Sequence, residues 1–285
     1  MKLSALAYAK INLFLKVVGK RDDGLHDLDM IMQSISLADK VTVEDGDTIG
    51  VKAFCNCDII DDNIAERAAL EYFKSANMPT QNIKISIEKN IPISAGLAGG
   101  SADAAAVLYI LNRMYNKLSE TEIVALAGKI GADVPFCLIG GTARVKGFGD
   151  VIEKQDVICN SNLVLIKAGT KKSTGYMYSL IDESNEIISA NAEELLTEMK
   201  TGKPDAFRFM HNDFKQFWTD ETSVAVQIDL INCGADAVSL SGSGPTFFGV
   251  FNDKQMAENC YNNLKNKYDD IYLCQPVSSG IEIIE

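Results

Sequence analysis

The chain has 285 residues, 47% hydrophobic and 23% charged, with only 6 prolines. That suits one large or two ordinary globular domains and excludes a disordered chain. Its formal charge of −12 excludes the basic surface that non-specific nucleic-acid binding needs, while leaving room for a small nucleotide pocket with local positive potential. No stretch reaches the ~18 uninterrupted apolar residues of a membrane span, and Lys10, Asn12 and Lys16 interrupt the N-terminal apolar run, so it does not read as a signal peptide.

Residues 3–18 are rich in β-branched and large apolar types and read as a strand or hairpin start, with Asp22-Asp23-Gly24 as a turn signal. Strands over 33–43 and 49–54 follow, separated by the polar turn Glu44-Asp45-Gly46-Asp47. From Asn63, a helix places Ile64, Ala68, Ala69, Tyr72, Phe73 and Ala76 on one face. Ile83, Ile85 and Ile87 alternate with polar residues, which predicts a half-buried strand over 82–88. A glycine-rich loop then leads into a helix over 101–113, and Ser119-Glu120-Thr121-Glu122 fits a capping box before a helix ending near Gly131. Asp133-Val134-Pro135-Phe136 opens a short segment, Gly140-Gly141 breaks it, and a strand covers 142–146. The pattern restarts near residue 155: strand 163–168, helices 173–182, 191–200 and 222–232, strand 236–240, a glycine loop, strand 246–251, helix 253–266 and strand 270–275. The last five alternate as in a split β-α-β unit, so an α+β protein of two domains, 1–155 and 156–285, is expected.

Seven cysteines, an odd number without any C-x-x-C spacing, read as reduced thiols of a cytoplasmic protein. Cys55-Asn56-Cys57 has no further cysteine or histidine nearby to complete a zinc site, and His26 and His211 are too few for a metal cluster.

The segment from Pro92 to Ala106 is the most informative. Three glycines in five residues, Gly96, Gly99 and Gly100, precede Ser101 and an alanine-rich helical run. A helix N-terminus offers unpaired N–H groups and the positive end of the macrodipole, and glycines let an anion approach them. No Gly-Lys-Ser/Thr closes a P-loop, and the spacing is not G-x-G-x-x-G. A Gly-rich turn capping a buried helix is the alternative, and a Cβ added at Gly99 is expected to fill the cradle if the cradle is real. The Ser101 hydroxyl serves a phosphate or Mg²⁺, or else is a helix N-cap. Asp133 is the lone carboxylate in an apolar and glycine stretch from Ile130 to Gly141: a general base or an N-cap. Lys10, among Ala7, Ala9, Ile11 and Leu13, is its natural partner or a strand-edge lysine, and Asn12 shares its strand face.

Three segments together, Ala7–Leu15, Pro92–Ala106 and Ser239–Phe248, resemble the motifs of the GHMP kinases, which phosphorylate galactose, homoserine, mevalonate and related metabolites. Lys10-Ile11-Asn12-Leu13-Phe14-Leu15, the run from Gly19 to His26, and Gly131-Ala132-Asp133-Val134-Pro135-Phe136 are similar to the members whose acceptor is methylerythritol linked to cytidine diphosphate. The resemblance covers residues 7 to about 250. It implies a ribosomal-protein-S5-like N-terminal domain, a ferredoxin-like C-terminal domain and an active site in the cleft between them. It implies ATP with Mg²⁺ as donor, held by Pro92, Ile93, Ser94, Ala95, Gly96, Leu97, Ala98, Gly99, Gly100, Ser101 and Ala102, with Asn63 and Lys89 at the purine. Asn63 also fits a helix N-cap, and Lys89 a solvated strand residue. Asp133 becomes the base, Lys10 its neighbour at the acceptor hydroxyl, and Asn12, His26, Tyr178 (with Tyr176 as competitor) and Gly242 the substrate contacts. Leu25 stands where the family commonly has an aromatic. A small-molecule substrate, a monomer or weak homodimer, and neither nucleic-acid nor membrane partner are expected. Homoserine or mevalonate is the alternative acceptor, although His211-Asn212-Asp213-Phe214 resembles a stretch of the cytidyl-type members. A non-catalytic sensor has no need of both Lys10 and Asp133, and a dinucleotide reductase lacks its βαβ unit.

Overall fold

The computed structural model describes residues 1–47, 49–56, 63–157, 161–184, 189–202 and 205–284. The first part comprises β1 (Lys2–Lys20), β2 (His26–Asp45), β3 (Val51–Cys55), α1 (Ile64–Ser75), β4 (Ile83–Glu88), α2 (Gly99–Tyr115), α3 (Glu120–Ile130), α4 (Val134–Ile139), β5 (Thr142–Gly147) and β6 (Val151–Gln155). The second comprises β7 (Asn162–Lys167), α5 (Thr174–Glu183), α6 (Ala192–Thr201), β8 (His211–Asn212), α7 (Glu221–Asn232), β9 (Ala237–Leu240), β10 (Thr246–Phe251), α8 (Lys254–Leu264), β11 (Ile271–Cys274) and β12 (Ile281–Ile283).

The long hairpin β1–β2 is the spine of an eight-stranded sheet ordered β12-β1-β2-β4-β3, with β5 on β2, β6 on β5 and β8 on β1. Its pairing slips between Tyr8 and Lys10 and again between Asn12 and Phe14, so irregularities flank both predicted polar residues of β1. Such bulges re-aim side chains next to functional sites. Helix α2 lies against the hairpin, and Ala102, Ala104, Ala105, Ala106, Val107, Leu108, Ile110 and Leu111 are all buried. The small alanines let this helix sit at the centre of the core. The Ser119–Glu122 capping box starts α3 as expected.

The second sheet is antiparallel, ordered β11-β7-β10-β9. With α7 before β9 and α8 before β11, this is the strand order of a ferredoxin-like unit, and the fold is α+β. Strand pairing crosses the division expected at 155/156: β8 and β12 both return to pair with β1. The expected strand over 33–43 is the second half of a strand that begins at His26, because β5 pairs with its first half. Helix α2 begins at Gly99, not Ser101, with Ala98 as N-cap. Among the described residues no helix is long and apolar enough to cross a membrane. Cys55, Cys137, Cys233, Cys260 and Cys274 form no disulfide; Cys57 and Cys159 lie outside the described residues.

Candidate active site

A cavity of about 1040 Å³ is bounded by β1, the β1–β2 turn, the 92–101 loop, the start of α2, the 132–133 and 148–149 turns, α5 and the 242–243 loop. Of the residues picked from sequence, Leu97 and Ala102 do not line it: both are packed into the core, and Leu97 instead accepts the Lys10 backbone N–H through its carbonyl. Tyr176 is exposed and also stands outside. The others reach the cavity.

The loop before α2 has left-handed residues at alternate positions, Ser94 (φ 55°), Gly96 (φ 79°) and Ala98 (φ 58°). Alternation of this kind turns successive N–H groups toward one side and makes an anion-binding nest, which continues into the N-terminus of α2. Gly96 is required twice over: its φ is positive, and a Cβ there would collide with the Ser241 carbonyl oxygen. Gly99 has a different reason from the one expected. A Cβ at Gly99 would press on Ile91 and, at 3.2 Å, on Lys89 Nζ, whereas Gly100 has only Ile64 at 3.6 Å. Gly99 therefore permits packing of the loop, and Gly100 is the glycine with space before it. Ser101 is in the first turn of α2 and is not its cap, so its hydroxyl is not committed to closing the helix.

Lys10 and Asp133 come together. Lys10 has 5% of its side chain exposed and Asp133 37%, and Lys10 Nζ lies 3.7 Å from Asp133 Oδ2. On the side away from β2, β12 pairs only with Ala5–Ala7, and at Lys10 the strand is covered by the loop, whose Leu97 carbonyl takes the Lys10 N–H; the buried Lys10 therefore guards no open edge. Asp133 precedes α4 but makes no side-chain capping bond. Its carboxylate is also more open than the apolar stretch around it suggests, because that stretch is buried through Val134, Phe136 and Cys137 instead. Asn12 organises the pair: its Oδ1 accepts from Lys10 Nζ at 2.8 Å and from the Gly242 N–H at 2.9 Å. The second glycine loop is thereby joined to β1. Ser241 Oγ donates to the Gly96 carbonyl at 3.0 Å, and Asn212 Nδ2 donates to the carbonyls of Leu240 and Gly242.

Lys89 is not the solvated residue that its strand position suggests. With 9% of its side chain exposed, it bridges Asp39 and Asp103, whose side chains are 0% and 4% exposed. Asp39 also accepts the N–H groups of Asn90 and Ile91, fixing the entry to the glycine-rich loop. Burial alone would lower the Lys89 ammonium, but the charges of Asp103 and Asp39 outweigh it and raise it. Burial pushes the Asp103 carboxyl up as well, with Lys89 pulling against it and Asp39 adding to it. Two carboxylates thus share one ammonium. Asp103 Oδ1 is buried without a hydrogen-bond partner. Asn63 caps α1, its Oδ1 accepting from the Ala65 N–H at 2.9 Å, while still lining the cavity.

At the far end, His26 and Tyr178 stack on each other, centroids 4.5 Å apart and planes 17° from parallel. They form one wall and leave no slot between them. Asp182 Oδ1 lies 2.7 Å from His26 Nε2, and its other oxygen accepts from Lys20 at 2.6 Å. Those two bonds hold Asp182 below the usual carboxylate range. Phe214 meets Tyr178 edge-on. Burial, with the Asp133 charge added, pushes the Tyr178 hydroxyl up to about 12. Leu25, half exposed, and Phe148, under the Arg21 guanidinium, lie on the rim. Phe148, Lys171 and Asp182 were missed from sequence, since no local pattern brings them to the cavity, and Lys20 lay in the 19–26 run singled out by resemblance only. Asn212 and Phe214 lay in a stretch singled out by resemblance only.

Two family models match the chain: the GHMP kinases N terminal domain over residues 63–141 and the GHMP kinases C terminal domain over residues 221–270. The chain is 41% identical over 281 residues to the 4-diphosphocytidyl-2-C-methyl-D-erythritol kinase of Clostridium botulinum (strain Alaska E43 / Type E3), covering 95% of this chain and 99% of that one. The chain belongs to the GHMP kinase family. A second relative of the same name, from Thermoanaerobacter pseudethanolicus (strain ATCC 33223 / 39E), is 35% identical and spans 100% of this GHMP kinase and 99% of itself. The crystal structure of a 4-(cytidine 5'-diphospho)-2C-methyl-D-erythritol kinase superposes with a TM-score of 0.78 at 29% identity, covering 96% of this chain and 98% of that one. Homoserine kinase from Cytophaga hutchinsonii matches with a TM-score of 0.77 over 99% and 97% of the two chains, but at 18% identity it shares the fold alone.

Proposed function

We propose that this GHMP kinase transfers the γ-phosphoryl group of ATP to the 2-hydroxyl of 4-diphosphocytidyl-2-C-methyl-D-erythritol. The observation that carries the reading is the Lys10–Asp133 pair, 3.7 Å apart, in one cavity with an anion-binding nest. The full-length relatives supply the acceptor. Phosphoryl transfer asks little covalent chemistry of a protein and much positioning and charge neutralisation. The nest and the N-terminus of α2 hold the donor phosphates, Asn63 borders the purine, and Lys89, tied to Asp39 and Asp103, holds the wall beside it in place. Asp133 takes the proton of the 2-hydroxyl as its oxygen bonds to the γ-phosphorus. The bond from γ-phosphorus to the bridging oxygen breaks, and ADP leaves. Lys10, oriented by Asn12, stabilises the oxygen as it gains negative charge.

Mg²⁺ would arrive on the phosphates, which supply most of its oxygen ligands. The uncapped Ser101 hydroxyl fits as its protein ligand, and the ion would neutralise charge on the β- and γ-oxygens. At the cytidine end, Asp182 engages Nε2 of His26, which leaves its other ring nitrogen, Nδ1, to hydrogen-bond the cytosine. The test is ADP formation by the purified protein with the cytidyl acceptor, homoserine and mevalonate side by side. Turnover with the cytidyl compound alone is expected. Turnover with homoserine or mevalonate instead contradicts the acceptor assignment, and none with any acceptor would make the protein a sensor.

A further inference from the structure

Four lysines reach the cavity: Lys10, Lys20, Lys89 and Lys171. The first three have carboxylate partners in Asp133, Asp182 and the Asp39–Asp103 pair. Lys171 makes no ion pair or hydrogen bond among the described residues; its electrostatic neighbours are Lys10, which pushes its ammonium down after burial has done so, and Asp133, which pulls it up. A half-buried ammonium without a carboxylate partner, on the wall of the cavity that also holds Lys10, is an unfavourable arrangement unless an anion joins them.

Its placement is enforced by the residue beside it. Lys172 Nζ donates to the Phe217 carbonyl at 3.0 Å and lies 4.6 Å from the centroid of the Trp218 ring. Trp218 Nε1 in turn donates to the Ser243 carbonyl. The connection from β7 to α5 is thus moored through Lys172 to the second glycine loop, while Lys171 lines the cavity. The phosphate nest belongs to the N-terminal part of the chain, and Lys171 comes from the C-terminal part.

We infer that Lys171 is a further catalytic residue, contacting oxygens of the phosphoryl group in flight between ATP and the acceptor, on the side that the nest does not cover. The inference rests on the kinase reading above. A phosphoryl group between donor and acceptor carries its charge on three equatorial oxygens, and the nest cannot surround them all. Lys171 lines the same cavity as Lys10 and Asp133, so a phosphoryl group passing there would meet it, and its negative charge would relieve the repulsion between the two lysines.

Lys171→Met keeps the apolar stem and removes the charge. It is expected to lower kcat roughly 10²–10³-fold, the cost of losing one preorganised group at developing charge. The acceptor KM and the dissociation constant of a non-hydrolysable ATP analogue, read by calorimetry, should each move less than about threefold, or ~0.7 kcal/mol. Lys171→Arg should recover most of the loss. A rise confined to the acceptor KM overturns the inference and puts the charge on the acceptor's own diphosphate. Weakened analogue binding at unchanged kcat overturns it in favour of ground-state ATP, and no change makes Lys171 a solvated lysine. Should the Met variant not fold, Lys171→Gln is read by the same three quantities. All variants are assayed with whichever acceptor the wild type turns over, so a wrong acceptor is seen in the wild type and a wrong role for Lys171 only in the variants. A wild type inert with every acceptor removes both.

Discussion

Lys10 and Lys89 are both buried lysines on the wall of one cavity, but their surroundings differ in kind. Lys89 lies between two carboxylates that are themselves buried, and one of these also takes the backbone N–H groups at the entry to the phosphate loop. Lys10 has a neutral amide at 2.8 Å and a single carboxylate at 3.7 Å that is partly open to the cavity. A saturated ammonium fixes structure. One with a looser, exposed partner has charge left for a reacting oxygen. Burial of a lysine thus says little about its role until its partners are counted.

Replacing the carboxylate beside Lys10 should have the largest effect. Asp133→Asn should fold and bind ATP yet lose roughly 10²–10⁴ in turnover, the usual worth of a positioned general base. Near-normal turnover would return Asp133 to a structural role. At the other lysine, Lys89→Met strands two buried carboxylates and should cost about 3–5 kcal/mol of stability, read as a lower urea midpoint. If stability holds and only nucleotide affinity falls, Lys89 is a ligand contact and the contrast between the two lysines fails. Gly96→Ala tests the joint between the glycine loops. A Cβ in a left-handed position, driven against the Ser241 carbonyl, should cost about 1–3 kcal/mol by overpacking. Unchanged stability and turnover would show that the loops need not touch. Leu25→Tyr is the smallest, a gain. A ring on the half-exposed rim should add about 1 kcal/mol of stacking on the cytosine, or about fivefold in the acceptor KM, leaving that of ATP unchanged. No change there, with His26→Ala tolerated, would remove residues 24–26 from base recognition.

Much of this was legible locally. The amphipathic α1, the capping box of α3 and the glycine run before α2 each depend on neighbours within a few residues. So does the presence of a lone carboxylate at 133. What could not be read depends on distant partners. Lys89 is buried only because Asp39 and Asp103 converge on it from β2 and α2. The three residues of β12 are too few to show a pattern, and they form a strand because β1 offers an edge. His26 and Tyr178 could be picked singly, but that they stack as one wall follows from α5 packing across the β1–β2 turn. Gly99 and Gly100 look alike in sequence, and only the position of Ile91 separates their roles.

The central claim is that Lys10 and Asp133 act as one unit while Lys89 does not belong to it. The direct measurement is turnover at saturating substrates for Lys10→Met, Asp133→Asn and the double variant. Catalytic groups that work together are strongly non-additive. The double variant should therefore be no slower than the worse single by more than about threefold, a difference of ~0.7 kcal/mol. Losses that multiply in full would show two independent residues and contradict the account.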